Sequence, residues 1–334
     1  MELLHRYQGC IVGLAVGDAL GHPAEFKSPA QIRTKYGPAG ITDFEPAGSH
    51  PPGTYTDDTQ MSLAVARALI GADDSASLYA AMGKEFVAWS KSPENNRSPG
   101  MTCMQGCARL AGGISPLEAG IVESKGCGSA MRAAPVALRY HGNIERIVEA
   151  AGNQSRLTHR HPTAIAASIA VAVTTELALC NTSFGGIAWE EAGKRVVPEE
   201  WFLELLTATN GISEEFTAKL LQVAAVLDLL PEAAYPLLGE GWVGEEAFAG
   251  AFYAFLRSPR DYRQIVLTAA NAGGDADSIA CIAGAFSGAF NGLHAIPEEW
   301  RRQVENAADL LETGTRLYQS NREGGGEPLE SSKE

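Results

Sequence analysis

Between Ala164 and Val173 the chain reads Ala-Ile-Ala-Ala-Ser-Ile-Ala-Val-Ala-Val, which is apolar around the whole circumference of a helix. Such a helix has no face to offer water, so it belongs at the centre of a bundle with other helices around it. Elsewhere apolar residues recur at the three-and-four spacing of amphipathic helices, as in Met61, Ala64, Val65, Ala68 and Leu69. Alternating strand patterns are nearly absent. The expectation is therefore one all-α domain over residues 1–320, although 334 residues would also accommodate two domains.

Helices are predicted at about 75–90, 143–154, 199–208, 213–229, 244–257, 259–271, 277–292 and 297–319, with one or two short ones between 103 and 125. A first core helix is expected to give way in the stretch Gly17–Phe26, where glycines and Pro23 break the pattern and leave Glu25 on a loop. Residues 27–55 read as a long irregular segment, rich in proline and glycine. The tail 321–334, with three consecutive glycines and little apolar content, reads as disordered.

Composition excludes several classes of function. A formal charge of −14 and a pI near 5.0, with no basic cluster, argue against a nucleic-acid surface. The six cysteines are scattered, and Cys103 and Cys107 lack a second pair at zinc-site spacing, so reduced thiols are expected. The run near the N-terminus is bracketed by Glu2 and Asp18 and does not read as a signal peptide. The uncharged stretch Ser278–Pro297 carries polar residues and glycines that make it a poor membrane span. A cytosolic protein, acting as a monomer away from membranes, is the expectation.

Chemistry concentrates at two helix starts. Thr56-Asp57-Asp58 precedes the helix of Met61, and Asp275-Ala276-Asp277-Ser278 opens the uncharged run. One Asp or Ser suffices to cap a helix, and these clusters exceed that need. Together they supply four carboxylates and two hydroxyls, an all-oxygen set suited to hard divalent ions, and four carboxylates suit two of them. This reading requires that side-chain oxygens of both segments lie within about 5 Å of a common point. A glycine-rich turn, Gly126-Cys127-Gly128-Ser129, opens another helical run and can offer backbone N–H groups to an anion, without forming the phosphate loop of nucleotide triphosphatases.

Five segments, Gly17–Gly21, Thr56–Thr59, Gly126–Arg132, Leu157–His159 and Gly273–Ser278, resemble in order the ADP-ribosylglycohydrolase family, over roughly residues 7–292. The resemblance implies an orthogonal helical bundle with a binuclear Mg²⁺ or Mn²⁺ site in a central cleft. It makes Thr56, Asp57, Asp58, Asp275, Asp277 and Ser278 the metal ligands, the same set that the carboxylates select. It also implies that Gly126, Cys127, Gly128, Ser129 and Met131 cradle a pyrophosphate, that His159 lies against ADP-ribose, and that Glu25 approaches the scissile bond from a mobile loop. His161 is expected only in solvent or a local hydrogen bond. The sequence departs from the family at Cys127, where many members have Asn, and at Ser278, where Thr is common.

The implied activity is hydrolysis of the glycosidic bond joining ADP-ribose to an acceptor, an ADP-ribosylated protein or a small ADP-ribose conjugate. ADP-ribosyl-arginine is the first choice, with serine-linked or O-acyl ADP-ribose as alternatives. Asp57, Asp58 or Glu25 would accept the proton of the attacking water. A non-catalytic ADP-ribose binder and a di-metal phosphoester hydrolase are the competing classes.

Overall fold

The computed structural model describes residues 1–72, 75–180, 190–191 and 194–323. The helices in chain order are α1 Glu2–Gly21, α2 Pro29–Tyr36, α3 Asp57–Gly71, α4 Ser75–Ser90, α5 Met101–Ala111, α6 Ala134–Arg139, α7 Ile144–Arg156, α8 Pro162–Cys180, α9 Glu199–Ala208, α10 Glu214–Val226, α11 Pro231–Leu238, α12 Gly244–Arg257, α13 Tyr262–Ala270, α14 Ala276–Asn291, α15 Glu298–Gln303 and α16 Ala307–Glu323. Paired strands among the described residues amount to one antiparallel hairpin, Glu190–Glu191 against Lys194–Arg195. The fold is all-α, as the sequence pattern requires.

Helix α8 is the centre that its composition dictates. It is long and apolar enough to cross a membrane, yet every residue from Thr163 to Glu176 is buried, against α6, α7, α12 and α14. Helix α14 is equally enclosed from Ala276 to Phe290. Its main partner is α1, and the contact is made by backbone. Gly9, Gly13, Gly17 and Gly21 recur every fourth residue on α1. A Cβ at these positions would stand 2.5 Å from the Gly288 oxygen, 2.5 Å from the Gly284 oxygen, 2.0 Å from the Ala280 oxygen and 2.4 Å from the Asp277 Cα. Only hydrogen fits there, so the two helices approach more closely than side-chain packing allows. The seam ends at Asp277 and thereby carries the end of α1 to the start of α14.

Several boundaries differ from expectation. Helix α1 continues through Gly17 to Gly21, so Asp18 lies on a helix. The segment 27–55 is not wholly irregular. Helix α2 starts on a capping box in which the Gln31 N–H donates to Ser28 Oγ at 3.3 Å and the Ser28 N–H donates to Gln31 Oε1 at 2.8 Å. Helix α11, with Pro231 at its start, falls in a stretch read as a gap between helices. The helix expected over 297–319 is two, broken where Asn306 takes φ 51°. Helix α16 runs to Glu323, and Asn321 is buried, its amide donating to the carbonyls of Arg139 and His141. The rest of the tail, 324–334, lies outside the described residues.

Candidate functional site

The two acid segments meet. Thr56 caps α3, and Asp57 and Asp58 form its first turn with their side chains buried. Asp275 stands at the cap position of α14, yet its carboxylate makes no capping hydrogen bond, which leaves it free for another partner. The turn before it is held from both sides: Phe26 N–H donates to Gly274 O, Gly274 N–H to Lys27 O, and Asp275 N–H to Glu240 O. Gly273 and Gly274 take φ 83° and 63° there, and a Cβ on Gly274 would lie 2.3 Å from the Glu240 oxygen. Across the bundle, Ser278 Oγ donates to Asp58 Oδ1 at 2.8 Å and Oδ2 at 2.9 Å. Glu25, Asp275 and Asp277 each place an oxygen within 4.8 Å of the others. Glu25 is buried there at the end of a short 3₁₀ turn, His22–Ala24.

Asp18 was not among the candidate residues, and the structure makes it the anchor of the first segment. Fully buried on α1, it accepts from Thr56 N–H at 2.9 and 3.0 Å, Thr56 Oγ1 at 2.9 Å, Thr59 N–H at 3.0 Å and Thr59 Oγ1 at 2.6 Å. It aims the start of α3. The signal was available: a lone acid inside an apolar helix must be satisfied or functional.

Burial pushes every acid of the cluster toward its neutral form, and repulsion from neighbouring acids adds to it at all of them but Asp277. Asp18 rises from 3.8 to about 7, through burial and then Asp277. Glu25 rises from 4.5 to about 10, through burial and then Asp277 and Asp275. Asp57, Asp58 and Asp275 are raised well above the usual carboxylate range, and Asp277 is raised too, burial being the first cause in each. Asp277 Oδ1 is buried with no hydrogen-bond partner. An orphaned carboxylate oxygen among buried acids is costly unless a cation compensates it. The carboxylate and hydroxyl oxygens are the donors hard divalent cations take, so these residues fit such ions.

Glu25, Asp57, Asp58, Asp275 and Asp277 line a cleft of about 330 Å³ together with the glycine turn and His159. The structure narrows what this turn can offer an anion. Cys127 N–H is spent on the Trp242 carbonyl, and the N–H groups of Ala130 and Met131 on the Cys127 carbonyl. Ser129 points into the core, its hydroxyl accepting from Ser155, and does not line the cleft. Gly126, Cys127, Gly128 and Met131 do. A Cβ on Gly128 would lie 3.0 Å from His159 Cε1, so glycine lets the ring approach. Arg132 Nη2 donates to Thr158 Oγ1 at 2.7 Å, and Thr158 Oγ1 stands 2.8 Å from His159 Nδ1. A threonine hydroxyl that accepts from Arg132 still has its hydrogen to give, and where it donates to Nδ1 the ring carries its proton on Nε2. Burial, then Arg132, lowers His159 to about 3, so the ring stays neutral. His161 accepts locally from Thr163 N–H, as expected.

At the mouth, Phe26 stacks on Trp242 with ring centroids 5.1 Å apart and planes at 24°. Phe26 is 66% exposed and holds φ 60°, an uncommon conformation for a bulky residue. The same two rings border a larger neighbouring groove of about 860 Å³.

A family model described as ADP-ribosylglycohydrolase matches residues 1–326. The chain belongs to the ADP-ribosylglycohydrolase family. An uncharacterized protein of Archaeoglobus fulgidus is 31% identical to this ADP-ribosylglycohydrolase over 94% of its chain and 96% of the relative. The ADP-ribosyl-[dinitrogen reductase] glycohydrolase of Rhodospirillum rubrum is 28% identical over 90% of each chain. The ADP-ribosylhydrolase ARH3 of Gallus gallus is 27% identical over 94% of this chain and 93% of its own. A solved structure titled ADP-ribosylglycohydrolase-related protein complex superposes with a TM-score of 0.69 at 25% identity, covering 96% of this chain and 99% of that one. As a member of this family the protein is an enzyme, an ADP-ribosyl hydrolase.

Proposed function

We propose that the protein releases ADP-ribose from ADP-ribosyl-arginine on a protein substrate, with two Mg²⁺ or Mn²⁺ ions held by Thr56, Asp57, Asp58, Asp275, Asp277 and Ser278. The observation that carries the reading is the junction of the two acid segments through Ser278 and Asp58 beside the unpartnered Asp277 Oδ1. Such ions, when bound, neutralise the carboxylates and act as Lewis acids toward substrate oxygens and water. Thr56 donates its hydroxyl hydrogen to Asp18 and so keeps an oxygen lone pair for a cation.

The remaining roles fall to protein groups. His159, held neutral with its Nε2–H available, donates a hydrogen bond to the ADP-ribose moiety. Asp57, Asp58 or Glu25 accepts the proton of the attacking water as the water oxygen bonds to the anomeric carbon. The bond from that carbon to the guanidine nitrogen breaks, and the nitrogen takes up a proton on leaving. Arginine is favoured as acceptor because a planar cation suits an acidic cleft rimmed by exposed aromatic rings. One relative points to arginine by name, the ADP-ribosylarginine hydrolase Tri1 of Serratia proteamaculans, 25% identical over 93% of this chain, and the dinitrogen reductase glycohydrolase is named for a protein substrate.

Arginine-linked and serine-linked ADP-ribosylated substrates offered in Mg²⁺ and in Mn²⁺, with the product identified by mass, test this. Free ADP-ribose from the arginine substrate is expected, and none from the double variant Asp275→Asn/Asp277→Asn with its helical circular dichroism intact. Release of AMP or phosphate, or turnover of the serine substrate alone, would overturn the proposal.

A further inference from the structure

Cys127 Sγ donates to Asp275 Oδ2 at 2.9 Å and lies 3.6 Å from Ser278 Oγ. Ligand atoms that share an ion at bond lengths of about 2.1–2.4 Å stand roughly 3.0–3.9 Å apart between right-angled and tetrahedral arrangements; the 3.6 Å to Ser278 Oγ falls inside that range and the 2.9 Å to Asp275 Oδ2 just short of it. Its backbone is pinned on both sides, by the Trp242 carbonyl on Cys127 N–H and by the N–H groups of Ala130 and Met131 on its own carbonyl. The thiol is therefore held at the acids and does not reach them by a chance rotation of the chain. Asp277 lines the same cleft, and its buried Oδ1, without a hydrogen-bond partner, points independently to a cation as its partner.

We infer that Cys127 is an additional ligand of this centre, contributing one sulfur to an otherwise oxygen-based set, and that the site accordingly takes thiophilic divalent ions such as Co²⁺, Zn²⁺ and Cd²⁺. On binding, the S–H bond breaks, its proton leaves to solvent, and the sulfur lone pair that held it bonds the ion. No electron changes hands. Mg²⁺ gains little from sulfur, whereas the softer ions gain a strong bond. The inference rests on the reading that the acids hold divalent ions, and its test separates the two.

The full-length protein is titrated with Co²⁺ alone, with visible absorption reporting binding and near-ultraviolet sulfur-to-cobalt charge transfer reporting a thiolate ligand. X-ray absorption on the wild-type Co²⁺ form looks for sulfur at about 2.3 Å. Both sulfur signals are expected in wild type and in Cys103→Ser, a change at the other thiol of the cleft. In Cys127→Asn, Co²⁺ should still bind without the charge-transfer band, Cd²⁺ affinity should fall about 10–100-fold, and Mg²⁺ affinity should hold. Bound Co²⁺ with no sulfur neighbour in wild type would overturn the role of Cys127 and leave the oxygen site standing, even if the variant failed to fold. Failure of wild type to bind Co²⁺, Mg²⁺ or Mn²⁺ at all would overturn both readings.

Discussion

Replacing Asp18 by asparagine keeps the size of the side chain and removes one charge and one acceptor oxygen. Four donors converge on this carboxylate, the N–H and O–H groups of Thr56 and of Thr59. An asparagine has a single oxygen, so its NH₂ must face one of the threonines. That threonine's hydroxyl can turn and accept, but its backbone N–H cannot. The unpaired N–H costs about 1–3 kcal/mol, and loss of charge assistance in the remaining bonds about 1–2 kcal/mol more. Against this stands the cost of ionising Asp18 where it is. Its folded value of about 7 lies above the ordinary 3.8. The stability it contributes is therefore present below about pH 4 and lost as pH rises through about 7. In the metal-free protein at pH 8 that loss is about 4 kcal/mol, and asparagine escapes it. The two effects offset to within about 2 kcal/mol, so Tm by circular dichroism in EDTA should stay within about 5 °C of wild type. Divalent affinity should behave differently, because the charged group that fixes the Thr56 hydroxyl and the start of α3 is gone. Calorimetric titration with Mn²⁺ should show about 10–100-fold weaker binding, with hydrolysis falling in step. Wild-type affinity and rate in the variant would refute Asp18 as the group that positions Thr56, and a collapse in Tm would refute the offset.

Two further expectations concern the metal-free protein and the helix seam. Glu25, raised from 4.5 to about 10, contributes stability that is present below about pH 4.5 and lost as pH rises through about 10. Thermal melts in EDTA should therefore fall over that window and recover on adding Mg²⁺; a melt insensitive to both pH and Mg²⁺ would contradict the electrostatics. At Gly288 a Cβ would stand 1.9 Å from the Gly9 oxygen, so Gly288→Ala should cost about 3 kcal/mol or more in urea unfolding. Gly71→Ala, where nothing lies within 4 Å, should be neutral or slightly stabilising.

What could be read from the chain depended on whether the cause was local. The enclosed α8, the amphipathic helices and both acid-bearing helix starts follow from spacing, and they stand where spacing places them. Helix α2 was locally written too, in Ser28-Pro29 and Gln31, but the surrounding prolines and glycines hid an eight-residue helix. Asp18 was left out of the candidate residues because its partners, Thr56 and Thr59, are 38 and 41 residues away, and no local pattern pairs them. The orientation of Ser129 was hidden for the complementary reason: the turn could be read, but that its hydroxyl faces the core depends on α7 and α8 packing behind it. The Phe26–Trp242 stack joins residues 216 positions apart and gave no sequence signal.

The glycine seam between α1 and α14 has a consequence for how the molecule folds. Its marks repeat every helical turn, so sliding α1 along α14 by four residues, about 6 Å, again sets small residues against small residues. The seam alone thus permits a wrong register almost as compact as the right one. What distinguishes them lies off the seam: the Tyr262 hydroxyl donating to the Gly13 carbonyl at 2.8 Å, the Lys27–Gly274 bridge, and Asp18 reaching Thr56 and Thr59. A one-turn slip would strand Asp18 as a buried charge without donors. The acid that orients the start of α3 is therefore also the check on helix register, and a molecule that docks these helices one turn out has no intact acid centre.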